Sequence, residues 1–382
     1  MSKTESCGDM RRINILLIFF IHFSVSSLAQ TELAKSLHKA GFEQLKVKQV
    51  EDTIHVFFEH RNFRNPANSM QYAMEVLGQK TNLHIKFIPI FHNRPVGMYD
   101  AGNLAFRRLS KLDRKWYNKA KPTEGYRLNL RLMPDFTAAF GNYEKPIANR
   151  TNLILDTRVY LYSGFSLHTG LLIPLNNSLD DRSMNPGLGP THLSFFHTKS
   201  SRHFLLAHAG LFLSDSYGLD FQYRYAPLNS NISLGLSGSY TGIYFINQRV
   251  IYREPIEKLT GVLDLETRIP TTNLIVKGSY GKFLFGDIGY RIDLLRQYGS
   301  IDFGIHYSQT TFGKGIGFQI AFPLFPGKLI RTAGFELRTT DEFRWEYFYF
   351  QKDPVARNFR TGMPRLSDVL RQYQTGFVQG QL

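Results

Sequence analysis

The chain of 382 residues carries 46 Lys and Arg against 31 Asp and Glu, a net charge of +15, with 32 Phe, 20 Tyr and one cysteine. No stretch after residue 30 holds the ~18 uninterrupted apolar residues of a membrane helix, which excludes a helical membrane protein once the N-terminus is processed. The basic excess is spread out rather than blocked, so it fits acidic glycans, phospholipid headgroups or lipopolysaccharide better than nucleic acid.

At the N-terminus, Arg11 and Arg12 precede an apolar run from Ile13 to Val25, followed by Ser26-Ser27-Leu28-Ala29-Gln30. A charged region, an apolar region and a small-residue site in that order predict a signal peptide over 1–29, cleaved after Ala29. The lone Cys7 lies before the apolar run and leaves with it, so neither a disulfide framework nor thiolate chemistry is expected.

Residues 30–95 read as a small α-β-β-α-β unit. Leu33 to Ala40 is amphipathic and stops at Gly41. Leu45 to Val50 and Thr53 to Glu59 alternate as strands. Asn65 and Pro66 open a helix that runs to Leu77 and stops at Gly78. Leu83 to Ile90 is a third strand. Residues 96–125 read as a connector with a helix at Asn103 to Lys111.

From 126 to 350 the pattern changes to long alternating runs. Tyr217, Leu219, Phe221, Tyr223 and Tyr225 alternate with Gly218, Asp220, Gln222 and Arg224. Ile288, Tyr290, Ile292 and Leu294 alternate with Gly289, Arg291 and Asp293. Successive strand side chains point to opposite faces, so each run has one apolar and one polar face. Many runs reach the ten residues of a tilted spanning strand, aromatics cap the apolar faces, and turns such as Ser163-Gly164 and Pro326-Gly327-Lys328 alternate with some longer loops. The expected fold is an all-β transmembrane barrel of about 14 antiparallel strands, in the range 12 to 16, behind the α/β domain. Tyr347-Phe348-Tyr349-Phe350 would close it. A polar tail over 351–382, helical near Leu366 to Tyr373, would lie in the periplasm or in the lumen.

Two segments resemble a known family. Ser279-Tyr280-Gly281-Lys282-Phe283-Leu284-Phe285-Gly286-Asp287-Ile288-Gly289 is similar to a hairpin of the YjbH/GfcD-type exopolysaccharide-associated outer-membrane proteins. Val56-Phe57-Phe58-Glu59-His60-Arg61-Asn62-Phe63-Arg64-Asn65-Pro66 resembles that family's strand-to-helix junction, with Phe58 and Phe63 in place of Tyr and His60 in place of Asn. The resemblance implies a periplasmic α/β domain fused to an outer-membrane barrel, acting without enzymatic chemistry in secretion or assembly of an exopolysaccharide or capsule. The chain holds one copy of a unit that longer members double. Expected partners are outer-membrane lipid and lipopolysaccharide, an acidic polysaccharide and periplasmic export proteins.

The alternation assigns Arg127, Arg131, Arg158, Arg224, Arg291, Arg338, Arg344, Asp156, Asp220, Asp287 and Asp293 to the lumen. Arg268, Lys277, Asp264, Glu266, Asp302, Glu336 and Glu346 join them. The signs balance, which suits cross-strand pairing more than a selective pore, although an arginine wall would also suit an acidic glycan. A general pore is one alternative function. A rim-active hydrolase is another, built on Asp180-Asp181 with His168 or His192, or on His192-Leu193-Ser194. Neither shows the positioned partners such chemistry requires. His197, His203 and His208 lack the spacing of a metal site, and no catalytic residue, metal or cofactor is expected.

Overall fold

The computed structural model describes residues 30–381 except 79–82, 123–127, 141–145, 214, 248–249, 333, 351–353 and 359. The predicted signal peptide therefore lies outside the described residues. No described helix is long and apolar enough to cross a membrane.

The N-terminal domain begins with α1 (30–39), whose Leu33, Ala34 and Leu37 recur at helical spacing and are buried. Gly41 turns the chain at φ 104°, and Arg331 from the second domain packs where a side chain would sit. β1 (Glu43–Val50) and β2 (Thr53–Glu59) form an antiparallel hairpin. α2 (Pro66–Leu77) then crosses to β3 (His84–Phe91), parallel to β2. Asn65 caps α2 by accepting from the Ala67 amide at 2.9 Å, with Pro66 in the first turn.

The segment expected to be a connector continues this sheet through β4 (Arg94–Pro95), β5 (Met98–Asp100) and β6 (Phe106–Arg107). The helix expected at Asn103 to Lys111 is not there. Asn103 instead accepts from the Ala105 amide at 3.0 Å in the turn between β5 and β6. The helix α3 (Lys111–Lys119) starts where the expected one was to end, and there Ser110 accepts from the Asp113 amide at 3.0 Å and donates to its carboxylate at 2.6 Å.

Residues 128–350 form one long sheet. Its strands are β7 (Leu128–Phe140), β8 (Ile147–Tyr162), β9 (Phe165–Asn177), the short β10 (Gly187–Leu188), β11 (Thr191–Lys199), β12 (His203–Phe212) and β13 (Ser216–Tyr225). Next come β14 (Ile232–Asn247), the short β15 (Val250–Arg253), β16 (Lys258–Ile269), β17 (Leu274–Lys282), β18 (Ile288–Tyr298), β19 (Ile301–Thr310) and β20 (Gly313–Phe322). β21 (Leu329–Arg331), β22 (Phe335–Thr339) and β23 (Phe343–Phe350) complete it. Leaving aside the short β10 and β15, consecutive long strands from β7 to β20 pair antiparallel.

The strand order is that of a closed ring, with β23 next to β7. Its closure departs from the expected even, wholly antiparallel count. Among the described residues, β22 pairs in parallel with β7, and β23 pairs antiparallel with β20. Thr340 folds back on Glu342, with its hydroxyl donating to the Glu342 carbonyl at 2.8 Å, and so separates the two. β22 and β23 thus act as two halves of one last strand that changes partner midway. An odd last strand runs in the same direction as the first, which is why the closing pair is parallel.

The turns after β8, β11, β13, β16, β18 and β20 form the end of the ring that faces the N-terminal domain. Arg94 reaches the Ser163 carbonyl, Arg114 the Ser201 hydroxyl at 2.7 Å, and the Gly327 amide the Asn62 carbonyl at 3.3 Å. Beyond β23 the tail passes back through the ring. Ala356 lies under the turn between β17 and β18, its amide 2.8 Å from Asp287. The Leu366 amide donates to Gln222 at 2.7 Å, and the Thr375 amide to the Leu228 carbonyl at 2.7 Å near the domain. The tail helices α4 (Leu366–Gln372) and α5 (Thr375–Gln379) finish inside and against the domain, with Val378 part of its core.

Candidate functional site: the charged interior

Burial in the ring is inverted. The apolar face of each strand is exposed: Leu219, Leu263, Leu265, Tyr280, Ile292 and Phe303 are between 44% and 64% accessible. The alternating polar residues Asp220, Asp264, Ser279, Arg291, Asp293 and Asp302 are all buried. Alternation along a pleated strand produces both faces at once, and the ring turns the polar one inward.

Charges facing each other across this interior are paired. Arg131 holds Asp156 at 2.5 and 3.0 Å and reaches Asp341 at 3.4 Å. Arg158 lies 3.7 Å from Glu59 of the N-terminal domain. Arg224 donates to Asp264 at 2.8 Å and Glu266 at 3.2 Å. Arg291 grips Asp293 at 2.6 Å and Glu346 at 2.5 Å. Arg338 donates to Asn129 at 3.0 Å, and Arg344 to Glu342 at 2.9 Å. Asp220 accepts from Gln222 at 2.8 Å. Asp287 accepts the tail amide of Ala356 described above. Arg127 lies outside the described residues.

The alternation did not reveal the partners supplied from outside the ring. From the tail, Arg371 donates to Glu266 at 2.9 Å and to Asp368 at 2.7 Å, and Asp368 lies 3.5 Å from Arg344. From the N-terminal domain, Arg64 is buried in the joint. It donates to Asp302 at 2.5 Å, to Glu342 at 2.8 Å and to the Ser300 carbonyl at 2.9 Å. Arginines scattered along the tail at Arg357, Arg360, Arg365 and Arg371 are the available signal, but a solvated segment reads the same way.

The carboxylates and histidines proposed for rim chemistry do not meet. Asp180 pairs with Arg150 at 2.5 Å and Arg182 at 2.7 Å in the loop beyond the far end of β9. His168 sits three residues from the opposite end of that strand, its ring stacked on His192 at 4.9 Å. Ser194 is hydrogen-bonded to His208 at 2.7 Å, but both are buried facing the interior, away from the outer surface. His197 and His203 are exposed on the outer face while His208 is buried, so the three do not converge. Among the described residues no group of three metal-ligating side chains could hold an ion.

Compared with protein-family models, curated proteins and solved structures, the chain matches none.

Proposed function

We propose that the ring is a transmembrane barrel of the outer membrane of a Gram-negative bacterium. Its N-terminal domain sits in the periplasm and its own tail closes its lumen. The observation that carries this reading is the inverted burial. A water-facing sheet with Leu, Ile and aromatic side chains exposed on strand after strand would present far more apolar surface than a soluble monomer tolerates. Against hydrocarbon the same face is favourable, and a ring leaves no open edge there except at one seam. The paired interior charges favour a filled scaffold over a selective pore.

The proposed role is non-enzymatic: to hold the α/β domain at the inner face of the outer membrane during secretion or assembly of an exopolysaccharide, where export proteins dock on it. The two family-like segments support this by where they lie. The junction Glu59 to Pro66 forms the joint between domain and barrel through Asn62 and Arg64. The hairpin at 279–289 grips the tail through Asp287 and Leu284, whose amide donates to the Arg357 carbonyl at 2.9 Å.

Cell fractionation with protease access tests the reading. The full chain should enter the outer-membrane fraction, with residues 30–120 cut only after the outer membrane is breached. Recovery in the soluble periplasm would overturn it. A deletion strain should lose surface polysaccharide while keeping the polymer's precursors; unchanged surface polymer would remove the role but leave the barrel.

A further inference from the structure

The tail divides the interior of the ring unevenly. Toward the domain it is held by tight pairs, Arg371 to Glu266 at 2.9 Å and to Asp368 at 2.7 Å. On its other side a cavity of about 400 Å3 lies between the tail, inward residues of β7 and β23, and the turns after β9, β12 and β17. Those turns, represented in the lining by Arg182, Leu213 and Phe285, belong to the end of the ring opposite the domain. The floor is closed by Arg131, Glu342, Arg344 and Asp368, all engaged in the pairs described above. The Arg182 and Arg360 side chains are 36% and 45% exposed, so solvent reaches the cavity.

Seven arginines and five carboxylates line it, a surplus of positive charge. Arg131, Arg150, Arg182 and Arg344 are each held by a carboxylate at 2.5 to 2.9 Å. Two arginines of the tail are held far more loosely. Arg360 reaches Asp135 at 3.3 Å, and Arg365 lies 3.9 Å from Glu346 with 31% of its side chain exposed. Both of those carboxylates already serve another partner: Asp135 accepts from Asn152 at 3.1 Å, and Glu346 is gripped by Arg291 at 2.5 Å. A guanidinium offers five N–H donors in a planar fork, so Arg360 and Arg365 keep donors for a second carboxylate. Arg365 also borders a smaller cavity of about 70 Å3, whose wall carries the hydroxyls of Ser237, Ser239, Thr260 and Ser279 from β14, β16 and β17.

We infer that the larger cavity is a binding site for a carboxylated oligosaccharide, with its uronate groups on Arg360 and Arg365 and its ring hydroxyls toward the hydroxyl-bearing wall. The site rests on the reading above, which places the end of the ring opposite the domain at the cell exterior and gives the protein a surface polymer to handle. The fork of an arginine matches a carboxylate's two oxygens, and a wall of hydroxyls offers sugar hydroxyls the partners they lose with water. The volume stands at the lower end of the roughly 300–1,000 Å3 of small-ligand pockets, and the floor is closed, so the site takes a few sugar units rather than passing a chain through. The tail that fills the lumen thus also supplies the arginines of the site.

The test uses the full chain purified in detergent from the outer-membrane fraction, so a failure of the membrane reading shows first and separately. In calorimetric titration, tetragalacturonate should bind about tenfold or more tighter than maltotetraose, its uncharged counterpart, equivalent to ~1.4 kcal/mol. Arg360→Gln with Arg365→Gln should weaken tetragalacturonate by a similar factor, and Arg360→Lys with Arg365→Lys should fall between. Hydrogen exchange over 366–375, unchanged in both variants, checks that the tail is still seated. In the parent chain, with no substitution, bound tetragalacturonate should shield Arg360 and Arg365 from phenylglyoxal. Equal binding of maltotetraose, binding of tetraglutamate or a thymidylate tetramer as tight as that of tetragalacturonate, an affinity unchanged in the glutamine variant, or no shielding would overturn the inference. A deletion strain that keeps its surface polymer would remove the role in secretion and leave this binding intact; absence of binding by a protein whose deletion removes the polymer would sink the site alone.

Discussion

Replacing Arg64 by Ala strikes the joint between domain and barrel at its most loaded point. The Arg64 side chain is 3% exposed, and Asp302 and Glu342, which it bridges, are 3% and 8% exposed. Its three hydrogen bonds, two to carboxylates and one to the Ser300 carbonyl, are charge-assisted. Truncation leaves two carboxylates facing each other in a buried place, and breaking a buried pair in this way costs about 3–5 kcal/mol. Arg344 stays close, 2.9 Å from Glu342 and 3.7 Å from Asp302, and offsets part of the loss, so the lower end of about 3 kcal/mol is expected. At ~1.4 kcal/mol per decade, the opening equilibrium of the joint should rise by roughly 10²-fold. Hydrogen exchange of peptides covering 60–66 and 300–304 measures it directly. Arg64→Lys, which keeps the charge but not the fork, should fall between the two. Exchange within threefold of the parent chain would refute the reasoning, because Arg344 alone would then be sufficient for both carboxylates.

Removing residues 354–382 should convert a silent protein into a conducting one in planar bilayers, since the tail crosses the interior from Ala356 to Thr375; an equally silent truncated barrel would contradict the plug. Val378→Asp should release the end of the tail from the domain, because Val378 is fully buried in that core, and carboxypeptidase digestion should then pass Thr375. His60 is stacked on Phe42 at 4.2 Å, and burial, with Arg338 and Arg331 nearby, lowers its pKa to about 3. As pH falls below 6.5 the unfolded chain takes up a proton that the folded domain refuses. Domain stability should therefore be intact above pH 6.5 and drop by up to about 1.4 kcal/mol per unit between there and pH 3. His60→Asn should flatten that slope in hydrogen exchange of residues 42–72; an unchanged slope would assign it to another group.

Much of this architecture is legible in the sequence because alternation is a strong signal on a two-faced strand. Asp220, Arg224, Asp264, Arg291 and Asp293 are buried, and their outward neighbours Leu219, Phe221, Tyr225, Leu263, Leu265 and Ile292 are exposed, as a period of two dictates. Asn65-Pro66 and Gly78 mark the ends of α2 because capping is local chemistry. What stayed hidden depends on contacts distant in sequence. Nothing in Phe335 to Phe350 announces that one half pairs with the first strand and the other with β20, since both halves alternate alike. The sequence leaves the tail between the periplasm and the lumen because the partners of Asp368 and Arg371, Arg344 and Glu266, lie on strands away from it in the chain. The Asn103 carboxamide serves a turn rather than a helix start, and the Ser110–Asp113 pair is the better start signal.

The central claim is that the exposed apolar face lies against hydrocarbon. Spin labels placed one at a time at Leu263, Asp264, Leu265 and Glu266 of β16, in protein reconstituted into vesicles, test it directly. Labels at 263 and 265 should collide more often with oxygen, which concentrates in the bilayer, and those at 264 and 266 should be shielded from both oxygen and a water-soluble nickel chelate. Labels at 263 and 265 that meet the nickel chelate freely would place this face in water and contradict the account.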